Sequence, residues 1–308
     1  MITNPGPTPG LDCHQHLWPA AVQEALRRRV RPPRLVGQVL LLDGEQPFVV
    51  DPAEHEPVRR AALAHDDGLT EVLVSLSSPL GIERLDPDEA VPMMQAWHEG
   101  AATLGPPFRA WAAAGLVDPD PAALRKVLAD PTFVGLQLPA CALATPAALE
   151  ALGPLLAVLD ELDRPLLVHP GPTASPTSDA PAWWPALVPY VAQLHAAWHS
   201  WHVAGRLAHP RLRVCFVGLA GLAPLHHERL TARGGVMGTL DPHVYYETSS
   251  YGTRAVDAMV RVVGVDVLVH GSDRPYATPT DLNLGTALTH AVRSTNPHRL
   301  LTGDRSPV

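Results

Sequence analysis

Two histidines stand two residues apart near the start of the chain. Residues 11–18 read Leu-Asp-Cys-His-Gln-His-Leu-Trp, so His14 and His16 form a His-x-His pair. Side chains two apart on a β-strand point to the same side. If residues 11–16 form a strand, both imidazoles aim at one point, as half of a four-residue metal site requires. Two solvated histidines on an edge strand are the alternative.

Two more ligand candidates each follow an apolar run and precede a Gly or Pro turn. One run ends Leu-Leu-Val-His169-Pro-Gly, and another ends Val-His-Gly-Ser-Asp273-Arg-Pro-Tyr. Three imidazoles and one carboxylate suit a borderline divalent ion. We therefore expect a single metal ion on His14, His16, His169 and Asp273, with Zn²⁺ as the first choice and Mn²⁺, Fe²⁺ or Co²⁺ as alternatives.

The elements that would position these residues alternate along the whole chain. Helical patterns over 121–129, 146–162 and 182–208 lie between short apolar runs, which predicts parallel strands joined by helical crossovers. Eight such units predict an α/β fold, a (β/α)8 TIM-type barrel, whose chemistry lies at the carboxyl ends of its strands. The eight predicted strands are 11–16, 71–76, 108–116, 133–138, 165–169, 212–217, 244–248 and 265–270.

One segment interrupts the alternation. Residues 34–42 and 46–50 flank Asp43-Gly44 and predict a β-hairpin around an Asp-Gly turn. This insertion, about 34–50, follows the first strand and would wall or cover the pocket at the barrel mouth. We find no repeat and no second domain, so residues 1–308 are expected to form a single metal-dependent barrel domain.

Composition restricts the partners and the compartment. A net charge of -8 without an extended basic run disfavours nucleic acid. Neither a signal peptide nor a membrane span is evident, so we expect a cytoplasmic protein acting on a small molecule. Cys13, Cys141 and Cys215 are expected to be buried free thiols. No glycine-rich phosphate loop and no Gly-x-Ser-x-Gly elbow supports a nucleotide cofactor or a serine nucleophile.

The candidate ligands also carry a family resemblance. His14-x-His16, Val168-His169-Pro-Gly and Gly271-Ser-Asp273-x-Pro resemble the motifs of the amidohydrolase superfamily. They are particularly similar to those of the amidohydrolase-related branch that includes aminocarboxymuconate-semialdehyde decarboxylase, and the resemblance extends from Leu11 to about Arg299. The resemblance implies a distorted (β/α)8 barrel with a metal bound by the first-strand histidines, the fifth-strand histidine and the eighth-strand aspartate.

The chain departs from the superfamily pattern in two places. Many members bridge two metals through a carboxylated lysine on strand four, but the only lysine here is Lys126, in a helical run, so we expect one ion. Members commonly carry a histidine at the end of strand six, where this chain has Gly218. His226 and His227 follow and are candidates to replace it.

Two reactions compete for such a site. A bound divalent ion lowers the pKa of water to about 7, and Asp273 could take the proton. This favours a hydrolase acting on an amide, imide, lactone or ester. The alternative is non-oxidative decarboxylation of an aromatic or unsaturated carboxylic acid, with Arg274 clamping the carboxylate unless it forms a salt bridge at the rim. A third hypothesis, based on the missing histidine, is a catalytically retired barrel that acts as a binding protein.

Several other side chains are expected near the substrate or on the outer surface. Trp18 would line the pocket or simply pack in the core, and Glu247, Tyr251 and Tyr276 would supply hydrogen bonds to substrate. The stripe His195, His199, His202 lies on one helix face but interleaves with tryptophans and lacks a His-Glu-x-x-His pattern. We interpret it as an outer packing face or a subunit contact, which allows a homodimer.

Overall fold

Eight parallel strands form the centre of the computed structural model, which describes residues 10–173, 180–236, 240–280, 282–283 and 285–304. A small antiparallel sheet stands beside them. The strands of the described residues are β1 (Gly10–His16), β2 (Arg34–Val36), β3 (Val39–Leu41), β4 (Phe48–Val49), β5 (Leu69–Ser75), β6 (Phe108–Ala112), β7 (Phe133–Pro139), β8 (Leu166–His169), β9 (Val214–Phe216), β10 (Val244–Glu247) and β11 (Leu268–Val269).

The eight-stranded sheet curves into a nearly closed barrel. Each strand pairs in parallel with the next, in the order β1, β5, β6, β7, β8, β9, β10, β11. Backbone bonds join the two ends of this order: the N–H of Cys13 donates to the carbonyl of His270 (2.8 Å), and the N–H of Asp273 donates to that of His14 (3.0 Å). The predicted (β/α)8 TIM-type barrel is confirmed.

Helices connect the strands and cover the outside of the barrel. The α-helices are α1 (Ala20–Arg28), α2 (Pro57–Asp66), α3 (Pro87–Ala102), α4 (Pro121–Leu128), α5 (Pro146–Ala151), α6 (Gly153–Leu162), α7 (Trp184–Leu187), α8 (Pro189–Ser200), α9 (Arg206–Ala208), α10 (His227–Ala232), α11 (Thr253–Val263), α12 (Thr286–His290) and α13 (Asn296–Thr302). No helix in the described ranges is both long enough and apolar enough to cross a lipid bilayer.

Proline begins many of these helices. It occupies one of the first two positions of α2, α3, α4, α5, α6, α7, α8 and α13, where its missing N–H costs nothing. Asp120 and Thr145 also cap α4 and α5 with their side chains. α6 begins at Gly153 with Pro154 in its first turn, and because a proline ring cannot continue the preceding helix, the helix predicted over 146–162 is divided in two.

The insertion after β1 differs from its prediction. Residues 34–42 were expected to form one strand, but the chain reverses at Gly37, whose φ of +62° suits a tight turn, and β2 pairs antiparallel with β3. The Asp43-Gly44 pair lies in the connection from β3 to β4, which are also antiparallel. The insertion is therefore a three-stranded sheet rather than a single hairpin.

The turn after β9 has an unusual backbone. Gly218, Leu219, Ala220, Gly221 and Leu222 all have φ between +51° and +66°. Non-glycine residues adopt this left-handed region at a cost of roughly 1–2 kcal/mol each, so the surrounding structure must hold the turn. The Nε2–H of His195 on α8 donates to the Gly221 carbonyl at 2.7 Å, and most of the turn is buried.

The cysteines are free. Cys13 and Cys215 are buried as predicted, whereas Cys141 is only partly buried.

Candidate metal centre

Four predicted ligands converge at the carboxyl ends of the barrel strands. His14 and His16 end β1, His169 ends β8, and Asp273 lies in the turn after β11. One ligand atom from each residue lies within 4.8 Å of all the others. The three imidazole rings stand edge to face with centroids 4.9–5.0 Å apart. Among the described residues, these four form the group that could hold a metal ion.

The spacing of the ligand atoms fits one divalent cation. Nε2 of His14 lies 3.1 Å from Nε2 of His16, and Oδ1 of Asp273 lies 3.2 Å from the latter and 3.7 Å from the former. A tetrahedral ion with bonds of 2.0–2.1 Å separates its donors by about 3.3 Å. Two unprotonated imidazole nitrogens at this distance would repel each other through their lone pairs, and a shared cation would remove that repulsion.

Contacts on the far side of each ring orient it toward the centre. Nδ1 of His16 lies 3.2 Å from the carbonyl of Ser75, and Nδ1 of His169 lies 2.7 Å from the carbonyl of Pro170. A carbonyl only accepts, so Nδ1 carries the hydrogen in both rings and the Nε2 lone pair faces the cluster. This is the arrangement that metal-bound histidines need.

Glu247 lies beneath the cluster rather than on the cavity wall. Its Oε2 is 3.5 Å from Nδ1 of His14 and also accepts from the N–H of Gly218 (3.0 Å) and the hydroxyl of Ser249 (2.7 Å). Its Oε1 accepts the N–H of Ser249 at 2.5 Å. The structure therefore places Glu247 away from the predicted substrate contact, because these neighbours already occupy its oxygens.

The electrostatics of the cluster follow from burial and from the two carboxylates. Burial lowers the pKa of His16 and of His169, which favours the neutral rings that bind metals. Burial opposes the charge on His14, but Glu247 and Asp273 outweigh it and raise that pKa. Burial would raise the pKa of Asp273, but His16 and the other imidazoles outweigh it and lower that pKa.

A cavity of about 380 Å³ opens onto the cluster and has aromatic walls. Trp18 is buried, stacks on His55 with ring centroids 4.5 Å apart, and donates from Nε1 to the Ser77 hydroxyl at 3.0 Å. The ring centroids of Tyr276 and His16 are 5.3 Å apart, and those of Phe48 and Tyr276 are 5.9 Å apart. The cavity is therefore suited to a planar, largely apolar ligand.

Of the remaining predicted substrate residues, Trp18, Tyr251 and Tyr276 line this cavity, and Arg274 does not. Nη2 of Arg274 pairs instead with Oδ2 of Asp67 at 2.9 Å, outside the cavity lining. The salt bridge considered as the alternative for this arginine is the arrangement found.

The position of the missing strand-six histidine has room for a Cβ and is bordered by a neighbouring ring. Gly218 lines the cavity, and the nearest atom to a side chain placed there would belong to Tyr251, at 3.8 Å. Neither His226 nor His227 lines the cavity. The ring of His226 packs against that of His195 instead, 5.0 Å between centroids.

The histidine stripe on α8 and the segment after it makes packing contacts. His195 bonds to the turn after β9, and Nδ1 of His202 lies 2.8 Å from the carbonyl of Trp198. The ring of His199 contacts Trp198, with centroids 4.9 Å apart. Within the described part of the chain, the stripe is not among the groups that could hold a metal.

Sequence reasoning missed several residues around the site. Glu45 and Tyr190 line the cavity and hydrogen-bond each other, and Arg60 is buried with Nη1 donating to the carbonyl of His16 at 2.8 Å. His55 accepts the N–H of Trp18 on Nδ1 at 3.1 Å. One signal in the sequence pointed to Glu45: the insertion after the first strand was predicted to lie at the barrel mouth. That position is confirmed, because residues of the insertion line the cavity.

The chain belongs to the amidohydrolase family, whose sequence profile matches residues 11–301. This match confirms the resemblance drawn from the motifs around His14, His169 and Asp273. A comparison with curated proteins finds no match.

Solved structures with the same fold cover nearly all of the chain. They include IDCase of Metarhizium anisopliae in apo form, with 17% identity, a TM-score of 0.78 and 97% of each chain covered. A 2,6-dihydroxybenzoate decarboxylase from Rhizobium has 16% identity and a TM-score of 0.70, with 96% of this chain and 99% of that one covered. A third structure is a 5-carboxyvanillate decarboxylase from Novosphingobium aromaticivorans, complexed with manganese and 4-hydroxy-3-methoxy-5-nitrobenzoic acid. It has 16% identity and a TM-score of 0.68, with 95% of this chain and 96% of that one covered.

Proposed function

We propose that this protein is a metal-dependent non-oxidative decarboxylase of an aromatic carboxylic acid. The observation that carries the proposal is the three-histidine, one-aspartate cluster at the base of a cavity walled by Trp18, Phe48 and Tyr276. Two structurally similar proteins bear the names of aromatic-acid decarboxylases, which supports this reaction over the hydrolysis favoured by the sequence alone.

The donor set supports one divalent ion on His14, His16, His169 and Asp273. Manganese is named with a structurally similar protein, and three imidazoles with one carboxylate also suit zinc, so both metals belong in the tests. When bound, the ion supplies positive charge that holds and polarises the acid function of the substrate.

The side chains around the ion have distinct tasks in this reaction. Trp18 and Tyr276 hold the ring flat, and their apolar faces exclude water from the carboxylate. Asp273 is ionised at rest, because its pKa is lowered, so it would first take up a proton from the solvent before the ring closes off the cavity, and it would then act as the acid. Proton transfer from Asp273 to the ring carbon forms a C–H bond. The carboxylate then leaves as CO2, and the electron pair of the broken C–C bond restores the aromatic ring.

Hydrolysis of an amide, lactone or ester is the second candidate. One observation favours it: no Arg or Lys of the described residues lines the cavity, and Arg274 pairs with Asp67. A neutral carbonyl substrate needs no cationic clamp, whereas a carboxylate must rely on the metal. Asp273, ionised at rest, would then serve as the base that takes a proton from water.

The two candidates are separated by measuring products. Protein loaded with Mn²⁺ or Zn²⁺ is incubated with a panel of hydroxybenzoic acids, aryl amides and aryl lactones, and both CO2 release and ring-opened or cleaved products are quantified. We expect metal-dependent CO2 from at least one acid. Hydrolysis product without CO2 would establish the second candidate, and neither product from metal-loaded protein would favour the retired barrel.

A further inference from the structure

One cavity carboxylate takes no part in the metal cluster. Glu45 lies on the connection between β3 and β4, and it lines the same cavity as the four candidate ligands. Its Oε1 accepts the hydroxyl of Tyr190 on α8 at 2.6 Å, and no other described residue donates to it. The carboxylate therefore has acceptor capacity left for a ligand in the cavity.

The field around Tyr190 links Glu45 to the metal end of the cavity. Burial, together with the charges on Glu45 and Asp273, raises the pKa of Tyr190, so both carboxylates act on this hydroxyl. Tyr190 stays protonated and remains a donor to Glu45. Glu45 and Asp273 line the same cavity, so a ligand that fills it lies near both carboxylates.

In the described part of the chain, no Arg or Lys lines the cavity to balance Glu45. Burial raises the pKa of Glu45, and the Tyr190 hydroxyl only partly opposes this. Burying the Glu45 carboxylate carries a desolvation cost that the Tyr190 hydroxyl offsets only in part. A hydrogen-bond donor on the ligand would offset the rest.

We propose that Glu45 selects the substrate by the group it carries away from the metal. The preferred ligand has one acid function for the ion and a hydroxyl or amino donor for Glu45. A second carboxylate at that position is rejected, because it would face Glu45 in a cavity where no described Arg or Lys offsets the two negative charges. This inference rests on the proposed reaction with an aromatic acid and specifies which acids the cavity accepts.

Binding affinities test the proposal without turnover. Dissociation constants are measured by calorimetry on the metal-loaded full chain with matched probes: 3-hydroxybenzoate and 3-aminobenzoate against benzene-1,3-dicarboxylate, and the corresponding 1,4-substituted series. We expect the donor-bearing acids to bind at least about tenfold more tightly than the dicarboxylate of the same series, from one like-charge contact at low effective dielectric.

Two variants assign the selection to Glu45. Glu45→Gln keeps an oxygen for the Tyr190 hydroxyl but removes the charge, and it should raise the affinity of the dicarboxylates about tenfold. Asp43→Asn removes a charge from the same connection at an exposed position that does not line the cavity, and it should leave the ratio unchanged. Thermal melting and metal content verify that both variants are folded and loaded.

The outcomes separate this inference from the proposed reaction. An unchanged affinity ratio in Glu45→Gln, an equal change in Asp43→Asn, or no binding of any probe overturns the selection by Glu45. Intact selection without CO2 release leaves the role of Glu45 standing and contradicts the decarboxylase instead.

Discussion

Oε2 of Glu247 lies 3.5 Å from Nδ1 of His14, with both side chains buried. The carboxylate orients the imidazole from behind and raises its basicity, as carboxylate–histidine pairs do at metal sites. Glu247 also bonds to the backbone of Gly218, so one side chain connects strand β10, the turn after β9 and a metal-ligand candidate on β1.

We predict that Glu247→Gln weakens metal binding by about 10- to 100-fold, because the neutral amide orients His14 less firmly. Competition with a chromogenic chelator measures the affinity independently of turnover. Glu161→Gln is the matched control, since Glu161 is exposed and pairs with Arg125 on the outside. Equal affinities in the wild type and in Glu247→Gln would contradict the orienting role.

Gly271 should not tolerate a side chain, because the Glu247 carboxylate that orients His14 lies directly beside it. A Cβ at this position would lie 2.0 Å from Oε1 of Glu247, so Gly271→Ala must displace the carboxylate. We expect a loss of metal affinity in the same direction as in Glu247→Gln, and a double variant whose effects do not add. Gly252→Ala, where the nearest atom is 3.7 Å away, should retain wild-type affinity in the same chelator assay.

Asp273→Asn tests the proton carrier. The amide keeps an oxygen for the ion but cannot carry a proton, so we expect substantial metal retention and a fall in kcat of about 10²- to 10⁴-fold. Elemental analysis and product formation are measured on the same preparation. Asp266→Asn changes an exposed aspartate before β11 and serves as the control. Full activity in Asp273→Asn would exclude this role.

Glu83 should make stability depend on pH. It is fully buried, and burial raises its pKa from the ordinary 4.5 to about 7, although the Ser78 hydroxyl (2.7 Å) and its own backbone N–H donate to it. The folded chain therefore holds a proton that the unfolded chain has released between pH 4.5 and 7. The contribution of Glu83 to the free energy of unfolding is fully present below pH 4.5. It is lost as pH rises through 7, which lowers the free energy of unfolding by about 3 kcal/mol.

Denaturant unfolding between pH 5 and 8 measures this effect. In Glu83→Gln, which cannot ionise, the decline attributed to Glu83 should disappear, so the variant gains stability over the wild type as pH rises. Parallel pH profiles for the two proteins would place the ionisation elsewhere.

The barrel and its ligand cluster could be predicted because local signals mark them. Strand periodicity places His14 and His16 on one side, and a histidine or aspartate followed by Gly or Pro marks the end of a strand in His169 and Asp273. Parallel strands in a barrel carry all such ends to one rim. The structure accordingly brings these four side chains together.

Contacts between distant parts of the chain could not be predicted in this way. Nothing in the sequence near Arg274 indicates that Asp67, at the end of α2, would take its guanidinium. The Glu45–Tyr190 bond likewise joins an insertion to a helix far along the chain. The reversal at Gly37 was missed because a lone glycine in an apolar run also fits a continuous strand.

The backbone bond between His14 and Asp273 ties the first barrel strand to the last. Two candidate ligands end β1, and the fourth follows β11, which lies at the opposite end of the strand order. A chain in which β11 has not yet joined the barrel therefore lacks a complete cage for an ion. Any variant that weakens the closure between these two strands should also lower metal affinity.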